Sequence, residues 1–248
     1  PARAIALAAC LTGATATVAA GQPAAPVDSP WLPWLGCWQL VEETGGSPEE
    51  WEDRRSYANR VVVCLTPAAN EDAGEGAVAV TTIADGDPIL VETLRADGRP
   101  QAVDETTCTG NRQDTWSADG ARIFTRSELI CEDDTARLVS GVSLMASAST
   151  WLDIQLVESG GRGAVTVRRY RRASESATTE AGATPLPVPL HAQARAAAHL
   201  ISTSGLSPSD IVEAHSITET TVVEALMMET QSTFELDGRA LLELDDAG

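Results

Sequence analysis

Few side chains in this sequence can do chemistry, and they are unevenly placed. Histidine occurs only at positions 191, 199 and 215. The first two thirds of the chain therefore lack the imidazole that a Ser-His-Asp triad or a histidine-ligated metal needs. No Gly-x-Ser-x-Gly, phosphate-loop or dinucleotide signature is present. Asp114 with Glu128, or with Asp153, would suit glycosidase-type acid–base work only at a fixed separation inside a cleft. The hairpin register instead puts Asp114 and Glu128 on opposite faces and sets Asp153 against Arg168. His191 and His199 are eight positions apart with no acidic ligand beside them, and are read as surface residues. Asn70–Glu75 and Glu132–Asp134 carry the oxygen ligands calcium prefers but not its ligand spacing, and are read as solvated turns. The expectation is a non-enzyme without metal or cofactor.

Cysteine is more informative. Cys10 lies in an apolar leader; Cys37, Cys64, Cys108 and Cys131 remain, none in a Cys-x-x-Cys pair. An even set in an exported chain reads as two disulfides. Asp119-Gly120 is a favoured two-residue hairpin turn. With Ala118 opposite Ala121, Trp116 faces Ile123, Asp114 faces Thr125, and Cys108 lands opposite Cys131. By elimination, Cys37 pairs with Cys64. A second hairpin turns at Gly160-Gly161 and pairs Leu156 with Val165 and Ile154 with Val167 on one face. Its other face pairs Asp153 with Arg168 and Trp151 with Tyr170, so apolar meets apolar and acid meets base.

One run stands out against the charge of the whole. Arg168-Arg169-Tyr170-Arg171-Arg172 is basic in a chain of formal net charge −19. As a binding feature, Arg168, Arg171 and Arg172 would form a patch for an anionic partner, with Tyr170 stacking beside it. As a structural feature, the same arginines would blunt an edge strand and pair with acids. The net acidity excludes a general nucleic-acid binder, which needs a basic footprint.

The elements that must position these residues follow from patterning. Residues 1–30 read as a signal-like leader with a Pro/Ala linker, its Val18-Ala19-Ala20 resembling a cleavage site, or with Cys10 as a lipidation site. Residues 31–172 carry period-two alternation punctuated by Gly, Asp and Asn, with a short helix expected at Pro48–Tyr57. The domain is mainly β, an antiparallel barrel or sandwich of about 8–10 strands. Residues 173–189 read as a linker and 190–248 as a small helical tail. There, Leu206–Ala214 and Leu236–Leu244 form a weak repeat whose second copy lacks its partner helix, which implies continuation past residue 248. Beyond residue 206 the tail has ten acids and one arginine.

Gly36-Cys37-Trp38, at the start of the first strand, resembles the Gly-x-Trp of the lipocalin-like (calycin) β-barrels. The resemblance implies that Trp38 closes the barrel base against an arginine from the last strand, with Arg169 favoured because it shares the face of Val165 and Val167. The layout also resembles bacterial exported proteins that join a disulfide-stapled β module to helical repeats. The expected function is an exported, periplasmic or secreted module that binds or scaffolds a protein partner in the cell envelope. Membrane contact would come only through a leader, lipid anchor or partner. The alternative is a lipocalin-like carrier of a small apolar or anionic ligand, using Trp38, Arg169 and Tyr170.

Overall fold

The computed structural model describes residues 29–45, 61–68, 76–104, 107–132 and 134–234. The leader, Pro48–Tyr57, Asn70–Glu75 and the second repeat copy lie outside these residues. After a 3-10 turn at Leu32–Trp34 come β1 (Gly36–Gly45), β2 (Val61–Pro67), β3 (Val78–Ala84), β4 (Asp87–Leu94) and β5 (Gln101–Asp104). They are followed by β6 (Cys108–Trp116), β7 (Arg122–Cys131), β8 (Ala136–Ser147), β9 (Thr150–Ser159) and β10 (Arg162–Arg172). Four helices complete the described chain: α1 (Glu175–Glu180), α2 (Val188–Ser202), α3 (Pro208–Ile217) and α4 (Thr220–Thr230). The stretch read as a linker thus contains α1, capped by the Ser174 side chain, and the first residues of α2.

All ten strands belong to one antiparallel sheet in the order β4-β3-β2-β1-β10-β9-β8-β7-β6-β5. Neighbours in the sheet are neighbours in the chain, except where β1 pairs with β10 and brings the ends of the β region together. The sheet curls so far that Glu92 on edge strand β4 reaches Arg112 on β6, with an N–O separation of 3.4 Å. Both hairpins have the register read from their turns. Cys108 faces Cys131 and Trp116 faces Ile123; Arg168 faces Asp153 and Tyr170 faces Trp151. Disulfides join Cys37 to Cys64 and Cys108 to Cys131.

Because side chains alternate across a strand, each strand contributes to two layers. The inner face gathers Trp38, Leu40, Val63, Leu65, Val80, Ile123, Met145 and Tyr170 at one end of the curl. There the 3-10 turn and Ala194 and Ala198 of α2 close it off. The outer face of β7–β10 presents Phe124, Val142, Leu144, Leu152, Ile154, Leu156 and Val167, and these pack against Ala214 of α3 and Val222, Val223 and Leu226 of α4. Leu152 and Ile154 have no exposed surface at all. The tail is therefore a second cover for the sheet.

Asp210 holds that cover in two ways. Its carboxylate accepts from the Ser207 backbone N–H at 2.8 Å, completing the capping box of α3. Its other oxygen accepts from Arg122, at the foot of the β6–β7 hairpin. The Ala118 N–H of the same turn donates to Glu213 at 2.7 Å. Helix formation and docking therefore use one side chain.

The choice of Arg169 for the barrel base sets the face of Val165 and Val167 inside; that face is outside, under α3 and α4. The face carrying Asp153, Arg168, Trp151 and Tyr170 is the interior. The reason is the tail. A detached tail leaves only the interior to bury Ile154 and Val167, whereas a docked one covers them from outside.

Candidate functional site

The closed end of the curl is built on Trp38. Gly36 has φ +120°, and a Cβ there would lie 2.9 Å from the guanidinium of Arg172. Glycine is thus required both by the backbone and by the close approach of that arginine. Trp38 faces Arg172 across the β1–β10 pair, and the guanidinium carbon sits 4.1 Å from the ring centroid. The same group donates to the carbonyls of Leu35 at 2.7 Å and Pro33 at 3.0 Å, tying the 3-10 turn to the last strand. Trp38 Nε1 donates to the Trp34 carbonyl at 2.8 Å. Burial and the nearby Arg195 push the Arg172 pKa down to about 10, which leaves it a cation at neutral pH. Edge-to-face contacts link Trp31 to Trp116 and Trp34 to Trp151, and Trp151 stacks on Tyr170 at 4.4 Å.

Arg172, not Arg169, is therefore the partner of Trp38. Strand alternation explains the correction: Arg172, Tyr170 and Arg168 share the inner face, while Arg169 and Arg171 point out. Arg169 pairs with Glu42 of β1 at 3.2 Å and with Glu229 of α4. The expected anionic-partner patch of Arg168, Arg171 and Arg172 is not one surface, since only Arg171 is exposed on the outside.

One step from the aromatic floor, a belt of charge crosses the inner face. Asp114 accepts from the Thr125 hydroxyl at 2.6 Å and lies 2.8 Å from Arg112 Nε. Asp153 accepts from Ser143 at 2.6 Å and stands 3.5 Å from Arg168. Arg168 also donates to Glu43 at 3.0 Å and to the Gln155 side-chain oxygen at 3.3 Å. Side-chain exposure rises in order across the belt. It is 0% for Asp114 and 9% for Asp153, then 12% for Glu43, 27% for Arg112, 29% for Arg168 and 34% for Glu92. Within the belt, exposure thus increases from the two aspartates to the two arginines and Glu92. Burial pushes the Asp114 carboxyl up against the pull of Arg112 and Thr125. Burial also raises the Tyr170 phenol, aided by Asp153.

Beyond the belt, Leu129 and Val139 return the inner wall to apolar side chains. Sequence reading placed Asp153 against Arg168 but missed Arg112, Glu43 and Glu92. The register that aligns Arg112 with Ser127 was available; the curl that brings β4 to β6 was not. A crevice of about 30 Å³ beside Ser140 and Glu219 lies on the outer face and has room for little more than a water.

No family model matches the chain, and no curated protein matches its sequence. Among solved structures, the chain is similar to an ileal bile acid-binding protein from zebrafish, crystallised with cholic acid. The identity is 10% and the TM-score 0.38, over 57% of this chain and 99% of that one. A secretory abundant heat soluble protein from Ramazzottius varieornatus is similar at 9% identity and TM-score 0.36, over 57% and 96%. At the closed end of the curl, this chain's own Gly36-x-Trp38 is locked under Arg172.

Proposed function

We propose that this protein is a non-enzymatic binding protein of an oxidising compartment outside the cytoplasm. It takes a small amphiphilic molecule in the recess of its curled sheet. The observation that carries this reading is the graded belt. Charged groups withdrawn from water cost more than packed apolar ones unless paired, and a merely structural interior is served better by aliphatic side chains. Here the guanidinium pairs face the wet side of a floor that is otherwise aromatic. A concave apolar wall with a few convergent polar groups is the usual build of a small-molecule site. The polar end rests on Arg168 and Arg112, and the apolar body lies along Leu129 and Val139. The two disulfides fit export, since such bonds persist where thiols are not kept reduced.

The test is titration of the protein with dodecanol and with dodecanoate, followed by tryptophan fluorescence and native mass spectrometry. At least one should bind saturably, one per chain, with affinity reduced about tenfold in Arg168→Gln, as expected for losing one charged hydrogen bond. Absence of a bound species at millimolar ligand would overturn the reading.

A further inference from the structure

The pairing of β1 with β10 slips once: Leu40 faces Tyr170, but Glu42 faces Arg169 and Glu43 faces Arg168. A bulge of this kind re-aims side chains locally. Here it reverses the faces that the two successive glutamates would otherwise take, turning Glu42 out beside Arg169 and Glu43 in beside Arg168. On the outside, Glu42 holds Arg169, and Arg169 also holds Glu229 in the last turns of α4. On the inside, Glu43 holds Arg168, and Arg168 also meets Asp153 in the belt. Two consecutive acids and two consecutive arginines thus join the helical cover to the recess through one strand pair.

We propose that this bulge is a coupling node, in which the docked α4 fixes the position of Arg168 through Glu229, Arg169 and the Glu42-Glu43 step. Arg169 and Glu229 are then positioning residues for the recess, although neither lines it. Release of Glu229 leaves Arg169 held by Glu42 alone. The bulge can then shift, and the Glu43–Arg168 contact moves with it. Another anchor of the cover, Arg122 with Asp210, sits at the β6–β7 turn away from the bulge and has no such route.

The direct readout is the Arg168 Nε–H signal in nitrogen-15 NMR of the full chain, because that hydrogen bonds to Glu43. Glu229→Gln should shift or broaden it, whereas Glu224→Gln, on the exposed side of the same helix, should leave it in place. Asp210→Asn loosens the cover at its far end and should also leave it in place. A signal unmoved by Glu229→Gln overturns the node. So does an equal shift in Asp210→Asn, which would mean that any loosening of the cover suffices. A second arm rests on the recess reading: Glu229→Gln should weaken dodecanol or dodecanoate binding at least about fivefold, the lower end of usual site-to-site coupling. If the parent protein binds neither, the recess reading fails, while the Arg168 signal still decides the node.

Discussion

At the residue scale, five nearby arginine-run positions have five different environments. Arg172 makes two carbonyl hydrogen bonds and lies over Trp38, so Arg172→Met should destabilise the protein by about 3 kcal/mol. Arg169→Met removes two partly exposed ion pairs, to Glu42 and Glu229, and should cost about 1 kcal/mol. Urea unfolding followed by tryptophan fluorescence measures both; equal costs would contradict the assignment of Arg172 to the lock. Asp114 makes a second case. Its carboxyl is raised by burial, so the folded state holds a proton that the unfolded state has already released. Stability from this group is therefore greatest at low pH. It declines as pH rises from the ordinary 3.8 of aspartate through the raised value in the folded protein. The unfolding free energy of the parent minus that of Asp114→Asn should fall across that window; a flat or rising difference would contradict the burial effect. The pairing of Asp153 with Arg168 was legible from one hairpin. The depth of Asp114 was not, because it depends on what covers it from across the curl.

The register of the two hairpins was readable to the residue, since the turns Asp119-Gly120 and Gly160-Gly161 fix it through backbone geometry alone. Register in turn placed Cys108 beside Cys131. What register cannot say is which face of a strand is inside, because β8, β9 and β10 are buried on both. A strand with two buried faces lacks a solvent side to orient it. The inward Tyr170 and the outward Val167 are equally buried, at 7% and 8% exposure. The disulfide cross-link makes a firm element-scale prediction. Cys108 and Cys131 are 23 positions apart. Replacing both with serine should cost about 3 kcal/mol by restoring freedom to the unfolded chain. Differential scanning calorimetry should show a lowered Tm, and peptide mapping without reductant should still find Cys37 joined to Cys64. A mixed linkage, such as Cys37 to Cys131 in the parent, would contradict the register of β6 and β7.

For the whole molecule, the tail decides how the sheet can be used. The outer face of β7–β10 is as apolar as a core and is closed by α3 and α4, which carry Ala214, Val222, Val223 and Leu226 at 0–5% exposure. Neither helix has another partner of that size among the described residues. The tail's sequence signals pointed to a helical repeat on a tether. Its helical character was visible, but the face it would meet was not. A chain ending at Ser202 keeps every strand, both disulfides and the Trp38–Arg172 lock, yet uncovers Phe124, Leu144, Leu152 and Ile154. Contiguous apolar surface of this kind drives association. The shortened chain should therefore remain rich in β structure by circular dichroism. It should bind anilinonaphthalene sulfonate strongly and self-associate at micromolar concentration in sedimentation velocity. Adding α3–α4 back as a separate peptide should suppress both effects. Asp210→Asn in the peptide should weaken that rescue by about tenfold, the loss expected for a charge-assisted bond to Arg122 together with a helix cap. A truncated chain that stays monomeric and leaves the dye dark would mean that the outer face has its own way of closing, and the tail would lose its role as the cover of the sheet.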